Sequence, residues 1–154
     1  MDELGDRTMA IVDVLMPYYG DVGLMQDAVR SVLAQDDPRW RLTVVDDGEQ
    51  PGVPEWFAAL DDERVRYLRN PRNLGVTGNF QHCLDLVEHD LVVLMGCDDL
   101  LLPNYVRTVC TIRESCRQAT IIQPGVQVID QAGRPVRTLV DEVKRRCYAP
   151  RFTG

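Results

Sequence analysis

The chain alternates short apolar segments with segments of helical periodicity, and this alternation most narrows the folds open to it. Apolar, strand-like segments occur at residues 10–16, 40–45, 65–69, 91–95 and 120–128, the last interrupted by Pro124-Gly125. Residues 23–34, 54–60, 77–88 and 103–116 repeat apolar positions every three to four residues, as helices do. Repeated strand–helix units predict an α/β fold with three layers, in which a mostly parallel sheet is flanked by helices.

Two features refine the expected sheet. Pro17 follows the first apolar segment and should end that strand. Residues 91–95 form a run without polar residues, so we expect the fourth strand to be the most deeply buried.

Composition excludes several classes of protein. A chain of 154 residues can bury the core of one domain, and its net charge of -7 argues against nucleic acid as the main partner. It has no apolar stretch of 18 residues and no signal-peptide pattern at its start, so we expect no membrane span. Its five cysteines are odd in number and lack CxxC spacing, which is typical of reduced thiols in the cytoplasm.

Pairs of aspartates follow two of the predicted strands. Asp46-Asp47 follow the second strand and Asp98-Asp99 follow the fourth. The carboxyl ends of parallel strands meet at one edge of a sheet, where ligands bind, and adjacent carboxylates usually need a cation or donor partners. The pairs therefore predict a site for a divalent metal and a phosphorylated ligand. The alternative is that each pair caps the helix or turn that follows.

Weaker signals lie near the same edge. Tyr18 and Tyr19 could stack on a base or simply pack against the sheet edge. The glycines at Gly75 and Gly78 precede or begin a predicted helix, whose first N–H groups could bind an anion. Cys97 is either a reactive thiol or a small apolar filler. Neither a G-x-G-x-x-G turn nor a phosphate-binding G-x-x-x-x-G-K-[ST] loop is present, which argues against hydride transfer and an ordinary NTPase.

Five motifs occur in order along the chain: Pro17-x-Tyr19, Ser31-Val-Leu-Ala-Gln35, Val44-Val-Asp-Asp-Gly48, Asn73-x-Gly75-x-x-x-Asn79 and Asp98-Asp99-x-x-x-Pro103. This ordered set resembles the nucleotide-binding half of family 2 glycosyltransferases, which are inverting enzymes of the GT-A fold. The resemblance covers about residues 9 to 130. It implies transfer of a sugar from a nucleotide-diphosphate donor to a saccharide or lipid-linked acceptor, with Mg²⁺ or Mn²⁺ bridging the diphosphate. The expected setting is the cytoplasm, including the inner face of the membrane.

The resemblance also implies residue roles. The implied nucleotide-binding residues are Pro17, Tyr18, Tyr19, Asp47, Gly75, Asn79 and Asp98. Among them, Asp47 would meet the base ring, and Asp98 with Asp99 would bind the metal. Gly96 stands where the family's D-x-D motif has its first aspartate, which usually approaches the ribose.

The resemblance further implies that part of the enzyme is missing. In the family, the acceptor site and catalytic base lie well beyond the D-x-D motif, so the base is unknown here and expected beyond Gly154. We expect a flexible N-terminus at residues 1–8, a nucleotide-sugar-binding domain at 9–130 and a basic, irregular tail at 131–154. Apolar surface left uncovered could drive self-association.

The sequence leaves four points to weigh. The basic tail could lie against an anionic membrane or be solvated. The available acids and bases, which are His82, His89, Asp130, Asp141 and Glu142, include no convincing catalytic base. The chain could instead be a nucleotide-sugar-binding or partner-binding module without turnover. A nucleotidyltransferase of related architecture is a weaker alternative. It would need a basic, glycine-rich loop after the first strand, whereas residues 17–23 contain no Lys or Arg.

Overall fold

The structure, a computed structural model, describes residues 11–130 and 133–136. Within those ranges the chain forms four strands and four helices in strict alternation. The strands are β1 (Val12–Tyr18), β2 (Trp40–Asp46), β3 (Val65–Arg69) and β4 (Leu91–Leu94). The helices are α1 (Val22–Leu33), α2 (Val53–Ala58), α3 (Gly75–Asp85) and α4 (Tyr105–Ser115).

The four strands form one parallel sheet in the order β3-β2-β1-β4. Helices cover both faces. Cys83 of α3 packs with Leu15 and Val45 on one face. Phe57 of α2 stacks on Tyr67, which pairs with Val44 and therefore lies on the other face. The predicted α/β fold with a parallel sheet between layers of helices is confirmed.

The central strand β1 is the most deeply buried strand, with all seven residues inside the core. It continues through Pro17 to Tyr18, so the prediction that Pro17 ends the strand is wrong. The Leu15 carbonyl accepts a hydrogen bond from the Met95 N–H, so the backbone polar groups of Leu15 face β4. Backbone direction repeats every two residues along a strand, so the Pro17 nitrogen faces β4 as well. Pairing with β4 stops at Leu15, so no ladder bond is lost at the proline.

Strand β4 lies at the edge of the sheet and is only half buried, so the prediction that it is the most buried strand is wrong. Val92 and Leu94 are 43% and 37% exposed. Both share a sheet face with Leu15 and α3, as their register with β1 shows. Because α3 packs mainly over β1 and β2, the described residues leave that face of β4 open.

The predicted fifth strand at residues 120–128 is also wrong, because the structure has no strand there. Pro124 lacks the N–H that a ladder requires, and the segment is described only as irregular. By itself, the second of two compact units, which begins at Ile121, shows an isolated antiparallel bridge between Ile129 and Pro135. Residues 1–8 and most of the basic tail lie outside the described residues.

The loop after Asp99 is tied to the end of α1. The Ser31 hydroxyl accepts from the Leu101 N–H at 3.0 Å. The Gln35 side-chain amide donates to the Leu102 carbonyl at 2.8 Å and accepts from the Val106 N–H at 3.0 Å. These bonds hold the start of α4 and the preceding loop against the C-terminal end of α1.

Candidate functional site

A cleft of about 380 Å³ opens at the carboxyl ends of β1 and β2, beside the start of α3. Its lining residues are Pro17, Tyr18, Tyr19, Asp47, Asn73, Gly75, Val76, Asn79, Phe80 and Cys97. Ligands of open α/β sheets bind at this edge. The structure therefore brings six of the seven predicted nucleotide-binding residues around one cleft, and the seventh, Asp98, is next in sequence to Cys97.

Among the described residues that line the cleft, Asp47 alone is acidic, and it is only 4% exposed. Its Oδ1 accepts hydrogen bonds from the Leu74 N–H and the Asn70 amide, both at 2.8 Å. Its Oδ2 accepts no hydrogen bond from residues in the described ranges. The carboxylate is therefore held through one oxygen and keeps the other for a ligand donor.

A polar network stands behind Asp47. The Asn70 amide nitrogen donates both to Asp47 and to Asn79 Oδ1, the latter at 3.0 Å. Asn79 in turn donates to the Val45 carbonyl at 3.0 Å. The Asn70 oxygen lies 2.7 Å from His82 Nδ1, which must carry a proton because the amide oxygen can only accept.

Asp46, the other member of the pair, turns away from the cleft and is fully buried. It accepts from the Gly48 N–H at 2.8 Å and from the Tyr67 hydroxyl at 2.6 Å. Burial and this hydrogen bond raise the pKa of Tyr67. The alternative of a capping or turn role therefore holds for Asp46, whereas Asp47 belongs to the cleft.

The two tyrosines differ in the same way. Tyr18 is fully buried, donates to the Gly20 carbonyl at 3.1 Å and has a pKa raised to about 12, mainly by burial. Tyr19 is 67% exposed, and its ring lies 3.6 Å from where a Cβ on Gly48 would stand. Of the two tyrosines, Tyr19 is the one whose ring is open to a ligand.

The start of α3 forms another wall of the cleft. Gly75 has φ +69°, a left-handed conformation that strains residues with a side chain. Its N–H donates to Asn73 Oδ1 at 2.9 Å, and the Asn73 amide donates to the Asp47 carbonyl at 3.0 Å. The turn thus fixes the start of α3 against β2, and Val76 in the first turn lines the cleft. The first-turn N–H groups of a helix have no partner within the helix.

Asp98 and Asp99 are exposed on the loop that follows β4. A Cβ built on Gly96 would lie 2.9 Å from Asp98 Oδ1 and 2.8 Å from Asp99 Oδ2, so both carboxylates converge over this glycine. Residues 11–130 and 133–136 contain no cluster of three or more possible metal-binding side chains. Two carboxylates do fit Mg²⁺ or Mn²⁺, because such ions commonly take one or two carboxylates and complete their shell with phosphate oxygens and water.

Cys97 lies between the cleft and these carboxylates. It is half-buried, and burial raises the pKa of its thiol. The thiol is therefore protonated at neutral pH, which favours the packing interpretation over the reactive one.

The sequence interpretation missed the polar support and part of the apolar wall. Asn70 and His82 were not predicted to act at the site, nor were Val76 and Phe80, which line the cleft. Asn70 follows β3 as Asp47 follows β2, so its position at a strand end was a usable signal.

Comparison with known proteins supports this assignment of the fold. The family model described as "Glycosyl transferase family 2" matches residues 13–138. The succinoglycan biosynthesis protein ExoO of Rhizobium meliloti is 26% identical over 137 residues, which are 89% of this chain and 38% of ExoO.

Solved structures show the same fold. Staphylococcus aureus TarS 1-349 in complex with UDP-GlcNAc has a TM-score of 0.64 at 16% identity, covering 70% of this chain and 32% of that one. The mannosyltransferase PcManGT of Pyrobaculum calidifontis, in complex with GDP-Man and Mn²⁺, has a TM-score of 0.58 at 21% identity and covers 70% and 34%.

The chain spans only part of these proteins, 38% of ExoO and about a third of the two solved structures. The search for membrane-spanning helices found no candidate among the described residues. The family match nevertheless covers most of the chain, and the fold agrees with it. The chain therefore belongs to glycosyl transferase family 2.

Proposed function

We propose that this chain binds the nucleoside diphosphate of a nucleotide-sugar donor, as the donor-binding portion of an inverting glycosyltransferase. The observation that carries the proposal is the half-satisfied, buried carboxylate of Asp47 in a cleft whose neighbouring loop presents Asp98 and Asp99. A nucleoside diphosphate would need a buried carboxylate such as Asp47 for its base and exposed carboxylates such as Asp98 and Asp99 for the metal on its diphosphate.

The roles follow from exposure and hydrogen bonding. The exposed ring of Tyr19 would stack on the base, and Asp47 Oδ2 would accept the ring N–H of a pyrimidine such as uracil. The first-turn N–H groups of α3 next to Gly75 would face an anionic part of the ligand. Pro17 and Asn79 complete the walls.

The charge on the leaving diphosphate would be neutralised by Mg²⁺ or Mn²⁺ held by Asp98 and Asp99. In the reaction, an acceptor hydroxyl oxygen bonds to the anomeric carbon from the face opposite the diphosphate. The bond from that carbon to the diphosphate oxygen breaks, and the electron pair leaves with the diphosphate. A base takes the hydroxyl proton, and the configuration of the sugar inverts.

The described cleft supplies no candidate for that base, because Asp47 is occupied with holding the nucleotide. We therefore expect this chain by itself to bind donor but to transfer little sugar, since transfer needs a base within hydrogen-bond reach of the acceptor. Acceptor-dependent release of UDP by the purified chain would contradict this expectation. The relatives' names suggest cell-envelope polysaccharides as the setting, with a saccharide or lipid-linked acceptor at the cytoplasmic side of the membrane.

Self-association is a further part of the proposal. The open face of β4 exposes Val92 and Leu94, and Phe80, Leu84 and Val87 at or near α3 are also at least 39% exposed. Apolar surface of this kind favours association between copies or with another protein. Sedimentation of the purified chain at several concentrations measures it.

Calorimetry tests the central proposal. UDP, dTDP and GDP are titrated into the chain with Mn²⁺ and then with a chelator present. We expect at least one of them to bind, and to bind more weakly without metal. Binding of none of the three, or equal binding with and without Mn²⁺, would refute it. A chain that binds the donor without any turnover, even when joined to an acceptor-binding partner, would instead support the alternative of a binding module.

A further inference from the structure

We propose that His82 is a positioning residue that controls base recognition by Asp47 through Asn70. The inference rests on the proposed function, because it assumes that Asp47 accepts the N–H of a pyrimidine. The three side chains form one continuous series, His82 to Asn70 at 2.7 Å and Asn70 to Asp47 at 2.8 Å. His82 itself lies outside the lining of the cleft.

The first step concerns the orientation of the Asn70 amide. Asn70 is 7% exposed, and its NH₂ group faces two acceptors, Asp47 Oδ1 and Asn79 Oδ1. A flipped amide would place an oxygen against both acceptors, which is repulsive. The N–H of His82 favours the productive orientation, because it donates to the Asn70 oxygen on the other side.

The second step concerns Asp47. Its Oδ1 has two donors, the backbone Leu74 N–H and the Asn70 amide. The backbone donor alone leaves the carboxylate free to rotate about its bond to Cβ, whereas two donors fix its plane and therefore the direction of Oδ2. Buried polar networks of this kind are rigid when every member is satisfied.

The third step separates His82 from the other histidine. His89 Nδ1 lies 2.7 Å from Asp13 Oδ1, and Asp13 also accepts from the backbone N–H groups of Glu88 and His89. Asp13 is at the amino end of β1, away from the cleft. His89 therefore makes a comparable hydrogen bond with no connection to Asp47, which makes it a matched control.

The experiment compares UDP with 3-methyl-UDP, which lacks the ring N–H, in the presence of Mn²⁺. The quantity measured by calorimetry is the ratio of their Kd values, in the unaltered chain and in His82→Ala, His82→Asn and His89→Ala. Thermal unfolding of each variant shows that it is folded at the temperature of the titration. Should His82→Ala not fold, His82→Leu fills the space without a donor and replaces it.

We expect His82→Ala to weaken UDP binding by about three- to tenfold, in line with the loss of one supporting hydrogen bond. Binding of 3-methyl-UDP should hardly change, so the Kd of 3-methyl-UDP divided by the Kd of UDP falls by the same factor. His82→Asn, whose amide nitrogen can occupy the place of Nδ1, should restore the ratio to within about twofold. His89→Ala should leave the ratio unchanged, whatever it does to thermal stability.

The outcomes separate this inference from the function on which it rests. If both nucleotides weaken equally in His82→Ala, the histidine is merely structural and the inference is wrong, while the proposed function stands. If the unaltered chain binds UDP and 3-methyl-UDP equally well, Asp47 does not read the base. Base recognition by Asp47 and the inference then both fail, while metal-dependent binding of the diphosphate can still hold. If the chain binds no UDP at all, the inference is overturned, and the proposed function fails as well only if dTDP and GDP do not bind either.

Discussion

Replacing Asp47 by asparagine should strongly weaken nucleotide binding while leaving the fold intact. The asparagine oxygen would stay at the Oδ1 position, because the Leu74 N–H and the Asn70 amide both donate there. The new NH₂ group must then take the Oδ2 position in the cleft. An amide flip cannot correct this, because it would turn the NH₂ group toward two donors in a buried site.

The magnitude follows from the bond that is lost. A hydrogen bond to a charged acceptor contributes about 1.5–3 kcal/mol, which corresponds to about 10- to 150-fold in Kd. A donor facing the ring N–H of the base adds repulsion, so we expect the upper half of that range. The free energy of unfolding should fall by about 1 kcal/mol or less, because both inward hydrogen bonds are kept.

Asp47→Ala provides the comparison. It leaves the Leu74 N–H and the Asn70 amide without their acceptor, and each unsatisfied buried donor costs about 1–3 kcal/mol of stability. The assays are calorimetric titration with UDP and Mn²⁺ and urea unfolding of both variants. A Kd for Asp47→Asn within twofold of the unaltered chain, with the fold intact, would refute the argument that Oδ2 reads the base.

Three further predictions concern the proposed metal ligands, the glycine beneath them and the core. Asp98→Ala should abolish metal-dependent nucleotide binding and Asp99→Ala should weaken it less, as measured by calorimetry with Mn²⁺. If Asp99→Ala is the more damaging substitution, the alignment of this chain to the family's D-x-D motif is off by one residue. Gly96→Ala should weaken Mn²⁺-dependent binding without loss of thermal stability, because a Cβ would stand under 3.0 Å from oxygens of both exposed carboxylates; an unchanged Mn²⁺ dependence would contradict this. Tyr67→Phe should lower the free energy of unfolding in urea by about 1.5–3 kcal/mol, since it removes the 2.6 Å hydrogen bond to the buried Asp46, and a loss below about 0.5 kcal/mol would count against that bond.

Much of the fold was predictable because local patterns and parallel pairing agree. Each of the four strands of the described sheet and each of the four helices overlaps a segment that apolar periodicity indicated, with ends that differ by up to three residues. The grouping of Tyr19, Asp47 and Gly75 around one cleft followed from a general rule, that strand ends of a parallel sheet meet at one edge.

The errors came from neighbours that a linear pattern does not show. The run at β4 is as apolar as a central strand, but its place at the sheet edge leaves alternate residues exposed. Proline often ends a strand, but the nitrogen of Pro17 faces β4, and pairing with β4 has already stopped at Leu15. The separate roles of Asp46 and Asp47 depend on Tyr67 and Asn70, which are more than 20 residues away in sequence.

The edge position of β4 has a dynamic consequence for Asp98 and Asp99, the proposed metal ligands. Asp98 and Asp99 follow a strand that pairs with β1 over only four residues, from Leu91 to Leu94. Short, half-exposed edge strands open locally at low free energy, so the two carboxylates follow a weakly protected edge of the sheet. Binding of a cation and a nucleotide there should slow amide hydrogen exchange along β4. By the same linkage, any protein surface that covers Val92 and Leu94 would raise the metal affinity without touching either aspartate.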